Sequence, residues 1–224
     1  MEQSIGFVGN LALAMIVTSL IAVEVRALRV SAYAYLAQAL LLVSIFIAIA
    51  FATASEWLMV WAFVALITKA TLIPWLLFAY IRRTGVVQEA PPYVDFAPSV
   101  LLACILMVAF YKLTHTHAQF LAPSPEIANE PYRTTLAVAL TVFSLGLYAI
   151  VSRRDAIKSV IALCLLENGV HLSLVSLAPG MPEMPIIGIV TEVFVTVWML
   201  LYVISGIQQA FGTTDTAMLR TLKG

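Results

Sequence analysis

The sequence predicts an all-α fold, a polytopic membrane bundle of about seven transmembrane helices. Three observations carry this. Apolar residues make up 62% of the 224, against 11% charged, and the mean hydropathy is +1.00; a soluble domain holds nearer half apolar residues. They fall into runs close to the roughly 20 residues that an α-helix needs to cross the hydrocarbon. The basic residues mark alternate loops, as they do between successive spans. With 12 basic and 12 acidic residues the formal net charge is zero, so no electrostatic footprint for nucleic acid is present.

Taken in order, the runs cover approximately 5–23, 32–54, 57–81, 98–113, 134–152, 156–178 and 185–209. Glu2 precedes the first, which lacks the basic n-region of a cleavable signal and is read as a retained span. Glu24, at its end, fits an interfacial anchor, as do the Tyr and Trp residues near other span ends. The fourth run is the shortest; Lys112 snorkels at its end, and His115 and His117 follow in a solvated loop. Connections at roughly 82–97 and 114–133 contain APP, APSPE and NEP, which proline stiffens into extended loops. With seven alternating spans, Arg26, Arg29, Arg82, Arg83, Arg153, Arg154, Lys158, Arg220 and Lys223 all fall on one side. The other side holds Glu56, Glu126, Glu130 and Glu183 with Arg133. This places the N-terminus outside and the C-terminus in the cytoplasm. A division at the second long loop separates a four-helix part, 1–133, from a three-helix part, 134–224. No internal repeat is evident, and the two RR doublets act as topology signals.

Cys104 and Cys164 lie far apart without CxxC or Cys/His spacing, so neither a zinc nor an iron–sulfur site is expected and both are read as small packing residues. His115 and His117 likewise lack the further ligands of a metal site.

Three ionisable residues lie deep in spans: Lys69, Glu167 and Glu192. A charge at the bilayer centre costs about 2.5–3.5 kcal/mol on insertion scales, so such groups face a protein interior or a wet cavity. Glu167 stands about 17 Å from the start of its span, near the midplane. In ALCLLENGVHLSL, His171 is four residues on and shares its face, close enough to exchange a proton directly or through one water. Ser173 and Ser176 continue a polar track outward, while Lys158 marks the cytoplasmic entrance. Asn168 and the serines also fit plain interhelical hydrogen bonding, and His171 fits either role. Glu192 comes one turn after Gly188 in PIIGIVTEVFV, where a small residue lets a neighbouring helix approach. Lys69, in VALITKATLIPWLL, sits too deep to snorkel, so an interior partner is expected, either a buried carboxylate or a relay group. Pro74 frees a carbonyl in that helix.

These stretches carry a resemblance. RRDAIKSVIALCLLENGVHLSLVSL, GIVTEVFVTVWMLLYVI and TTDTAMLRTLKG resemble the three-helix NuoK subunit of respiratory complex I and the related MrpC antiporter subunit. With LENG, the APGMP turn, Gly188 and Glu192, and LITKATLIPWLL, the whole chain resembles the hydrogenase-4 component E (HyfE) family. The resemblance implies a membrane subunit of a group 4 hydrogenase or related complex I-like assembly in a prokaryotic cytoplasmic membrane. Its partners would include antiporter-like and NuoH-like subunits. No cofactor is implied in this chain; iron–sulfur clusters and a nickel–iron site belong to partner subunits. Glu192 matches the second of two NuoK carboxyls. Cys164 stands at the place of the first, one turn before Glu167, and Pro185-Ile186 replace an acidic position before the glycine.

The leading expectation is a non-redox, proton-conducting subunit, with Glu167, Glu192, His171 and Lys69 as protonatable stations and Asn168, Lys158 and Ser173 in support. An inert scaffold joining antiporter-like subunits is the alternative. A self-contained transporter would show an inverted repeat or paired broken helices, which this sequence lacks.

Overall fold

A computed structural model describes residues 2–117, 130, 132–177 and 184–216, with side chains from 7 onward and, in the last helix, from 194. Helices α1 (Glu2–Glu24) and α2 (Leu28–Thr53) precede a long third span built of α3 (Glu56–Ile67), a π-turn (Thr68–Leu72) and α4 (Ile73–Thr84). Then come α5 (Phe96–Thr116), α6 (Tyr132–Ser152), α7 (Ala156–Leu177) and α8 (Met184–Phe211). Among the described residues, seven helices, the third interrupted by the π-turn, are thus long and apolar enough to cross a membrane. Lipid offers no partner for N–H or C=O groups, so runs of this length close their hydrogen bonds internally as helices.

At the centre stands α7, packed along α6 and touched by α1, α2 and α8; α3 lies on α2, while α5 lies outside against α6. The α6–α7 seam is close because a glycine faces backbone from each side. A Cβ on Gly169 would lie 2.6 Å from Phe143 N, and one on Gly146 2.6 Å from Leu166 N. Gly169→Ala is therefore expected to lower stability by about 1–3 kcal/mol, the usual cost of overpacking. A thermal midpoint of the purified protein unchanged by this substitution would contradict the rigid seam.

The fourth span is longer than expected, because α5 starts at Phe96 and runs on through KLTHT to Thr116. His115 consequently lies in its last turn, not in a loop; its ring stacks on Tyr111 with centroids 3.9 Å apart, and Nε2 is 2.9 Å from Glu130 Oε1. Cys104 is exposed on α5 and is no packing residue, because this helix buries only 11% of its span against the rest of the chain; Cys164 is buried.

The basic loops converge at one end. Leu28 N donates to Val87 O, Glu89 N to Arg26 O, Tyr93 N to Ser152 O, and Ala156 N to Thr214 O, joining three connections and the segment after α8. Glu24 is not an interfacial anchor: its side chain is buried in an ion pair with Arg153, which is 1% exposed and also donates to Glu89 Oε1 at 3.3 Å. Asp155 caps α7 by accepting from Ile157 N at 2.9 Å, and Thr214 donates to its other oxygen at 2.6 Å. Arg154 pairs through two nitrogens with Asp215 and lies 5.2 Å over the Tyr93 ring.

Candidate functional site

Lys69 reaches the bundle interior from the π-turn. Ile73 N donates five residues back to Thr68 O, the π-type bond, and Thr71 Oγ1 donates to Leu66 O at 3.0 Å. An extra residue in a turn rotates the remainder of the helix by about 100°. The buried positions run Leu58, Trp61, Ala62 and Ala65 before the turn, Lys69 and Ala70 within it, and Ile73, Leu77, Tyr80 and Ile81 after it. Such π-turns inside α-helices are frequent at functional sites.

The lysine is 1% exposed, and its Nζ lies 2.9 Å from each of three acceptors: Glu167 Oε1, Asn168 Oδ1 and His171 Nδ1. An ammonium has three N–H donors and no acceptor, so the three acceptors on one face of α7 match it fully. With Lys69 charged, His171 accepts at Nδ1 and carries its proton on Nε2. That nitrogen has no hydrogen-bond partner among the described residues, and the ring stands edge-on to Trp61 with centroids 5.6 Å apart. Nδ1 also lies 2.9 Å from the Glu167 carbonyl oxygen and 3.4 Å from its Oε1. The other tautomer, with Nδ1–H, would donate there and requires Lys69 to have given up a proton. One set of heavy-atom positions thus accommodates two proton distributions.

A second arm leaves the cluster through Asn168, whose Nδ2 donates to Gln38 Oε1 at 3.2 Å; Gln38 Nε2 donates to Ser19 Oγ, and Ser19 Oγ to Met15 O, each at 2.6 Å. Amide N–H protons are not labile in the way carboxyl and imidazole protons are, and the chain ends on a carbonyl. This arm orients Asn168 and ties α1 and α2 to α7; it does not carry protons.

The sequence-predicted residues are thus partly united. Lys69, Glu167, Asn168 and His171 meet. Lys158 does not join them: nine residues before Glu167, about 14 Å along the helix, its Nζ lies within 2.6–3.1 Å of four acceptors that share its three N–H donors, Ala22 O, Val23 O, Val25 O and Ser31 Oγ, and 3.7 Å from Glu89 Oε2. It therefore satisfies orphan carbonyls at the end of α1. Ser173 is half-buried, and Ser176 turns back to Leu172 O at 2.8 Å. Glu192 lies on α8, as expected, with its side chain outside the described residues. The sequence reading missed Gln38 and Glu89. A lone glutamine in YLAQALLLV was a visible signal; a glutamate in a loop, in VVQEAPP, gave none.

Residues 134–224, which contain α7, α8 and three of the four clustered side chains, match the family described as NADH-ubiquinone/plastoquinone oxidoreductase chain 4L. Hydrogenase-4 component E of Escherichia coli (strain K12) is 36% identical over 97% of this chain and 97% of its own. The chain belongs to the hydrogenase-4 component E family. The corresponding Shigella flexneri component E matches equally, at 36% over 97% of each chain. An uncharacterized protein of Mycobacterium tuberculosis is 26% identical over 69% of this chain and 68% of its own. No solved structure matches. Within this chain, then, the region matching chain 4L supplies Glu167, Asn168 and His171, and the preceding helices supply Lys69.

Proposed function

We propose that this chain is a non-redox membrane subunit of a complex I-like, hydrogenase-4-type assembly, and that Lys69, Glu167 and His171 form a station for proton transfer in it. The observation that carries the reading is a lysine buried mid-span with its three donors shared among a carboxylate, an imidazole and an amide. Neutral groups could make three hydrogen bonds at lower cost, since each buried ion carries a desolvation penalty of several kcal/mol. Carboxylate, ammonium and imidazole are together able to hold and pass protons. A proton given by Lys69 to Nδ1 makes the imidazolium, and the proton on Nε2 can then leave from the opposite edge of the ring. Family membership supports the setting, because relatives named as hydrogenase components work beside redox subunits. Iron–sulfur clusters and the nickel–iron site would belong to those partners, antiporter-like and NuoH-like subunits would flank this one, and Glu192 on α8 would be the next carboxyl. The convergent basic loops would face the cytoplasm, with the N-terminus outside.

The test is Glu167→Gln in the intact assembly, with electron-transfer turnover and ion movement followed together in sealed vesicles. Continued turnover with ion movement reduced at least about 100-fold, the scale of a lost proton-transfer group, is expected. Both persisting at the wild-type ratio would leave the chain a scaffold.

A further inference from the structure

Two buried polar clusters lie on α7, the Glu24–Arg153–Glu89–Lys158 group at its start and the Lys69–Glu167–His171 group at mid-span. One face of α2 touches both. Ser31 Oγ is 2.6 Å from Lys158 Nζ, and Gln38 Oε1 is 3.2 Å from Asn168 Nδ2. Between them, one turn from each, stands Tyr35. It is wholly buried, its hydroxyl lies beside the Cys164 thiol and within electrostatic reach of Glu167, and no described atom gives it a full hydrogen bond. The rest of the wall there is apolar, made by Ala32, Ala39, Ile161, Ala162 and Leu165.

A buried hydroxyl whose neighbour is only a weakly hydrogen-bonding thiol is a net cost to folding, and phenylalanine would fill the same space without it. Its position supplies a use. A phenol is donor and acceptor at once, so a proton can arrive on the oxygen lone pair as the original O–H proton departs, leaving no net charge in the apolar wall.

We propose that Tyr35 is the proton-relay residue joining the Glu89–Lys158 cluster to the Lys69–Glu167 station; this rests on reading that station as protonatable. The proton moves from the outer cluster to the Tyr35 oxygen while the hydroxyl proton passes toward Glu167, and rotation about the C–O bond restores the starting arrangement. Along α2, Tyr35 stands one helical turn from Ser31 and about one from Gln38, and a water can bridge a polar separation beyond direct hydrogen-bond reach.

The experiment is Tyr35→Phe in the intact assembly, beside Glu167→Gln, with ion movement and electron-transfer turnover measured in sealed vesicles. Because at most a weak contact with the Cys164 thiol is removed, assembly should persist, and ion movement per turnover should fall at least about tenfold. If Tyr35→Phe keeps the wild-type ratio while Glu167→Gln uncouples, the relay is wrong and the station stands. If neither uncouples, the station is wrong and the relay falls with it. Should Tyr35→Phe lower assembly, a ring-fluorinated tyrosine at this position keeps shape and hydroxyl while making it more acidic. Cys164 and Glu167, which act on it, and Lys158, Glu89 and Lys69 in the two clusters stay as they are. An acid-shifted pH profile of ion movement is then expected, and an unshifted one would overturn the relay.

Discussion

Lys69→Met should destabilise the folded chain by about 3–5 kcal/mol, the cost of removing one partner from a buried ion pair. Lys69 and Glu167 are 2.9 Å apart with side chains 2% and 11% exposed, so water cannot replace the lost ammonium well. Glu167 must then hold a proton to stay buried, and Asn168 Oδ1 and His171 Nδ1 lose their shared donor as well. Lys69→Met combined with Glu167→Gln should recover much of the loss, because both charges go together; coupling between contacting residues is typically about 0.5–3 kcal/mol. Thermal midpoints of the purified assembly carrying each single change and the pair would measure it. Strictly additive effects would mean that the lysine and the carboxylate do not act as a unit.

Arg153→Met is expected to be of similar size and to depend on pH. The arginine lies between Glu24 and Glu89, and Lys158 is 3.7 Å from the second oxygen of Glu89. Its removal leaves three buried carboxyls, counting Asp155, against one buried cation. Burial already holds the Glu89 and Asp155 carboxyls above their ordinary values, against the pull of their cationic and hydrogen-bonding partners. A carboxyl raised on folding binds protons more readily folded than unfolded. Its contribution is therefore whole below the unfolded value, about 4, and is lost as pH rises through the raised folded value. Without Arg153, Glu89 rises further and that window widens upward. The deficit of Arg153→Met should accordingly shrink toward pH 5 and grow toward pH 8. A deficit constant over that range would assign the arginine a packing role alone.

How much of the site and fold is legible in the sequence depends on the kind of signal. Glu167 and His171 share a face because helical spacing alone puts residues four apart together. That Lys69 needs an interior partner comes from its depth, but naming the partner requires knowing that the π-turn points it at α7, ninety-eight positions along the chain. Glu24 and Arg153 look like interfacial charges because each stands at a span end; only the packing of three connections and the segment after α8 buries their side chains there. Cys104 and Cys164 have similarly apolar neighbours in sequence, yet one faces outward on a peripheral helix and the other inward on the central one.

By itself the sequence determined the number of spans, the end at which the basic loops gather and the residues too costly to bury without a purpose. These are set by local hydropathy, helix length and the energetic penalty of a charge in hydrocarbon, quantities that each segment carries alone. Tertiary structure decided which of the buried charges meet, which polar chain is a tether, and which hydroxyl stands between two clusters. Those outcomes depend on how close two backbones can come, here at Gly146 and Gly169, and on the rotation introduced by one extra residue in a turn. A uniformly apolar helix surface encodes little of either, because its sides are nearly equivalent until a neighbour packs against one of them.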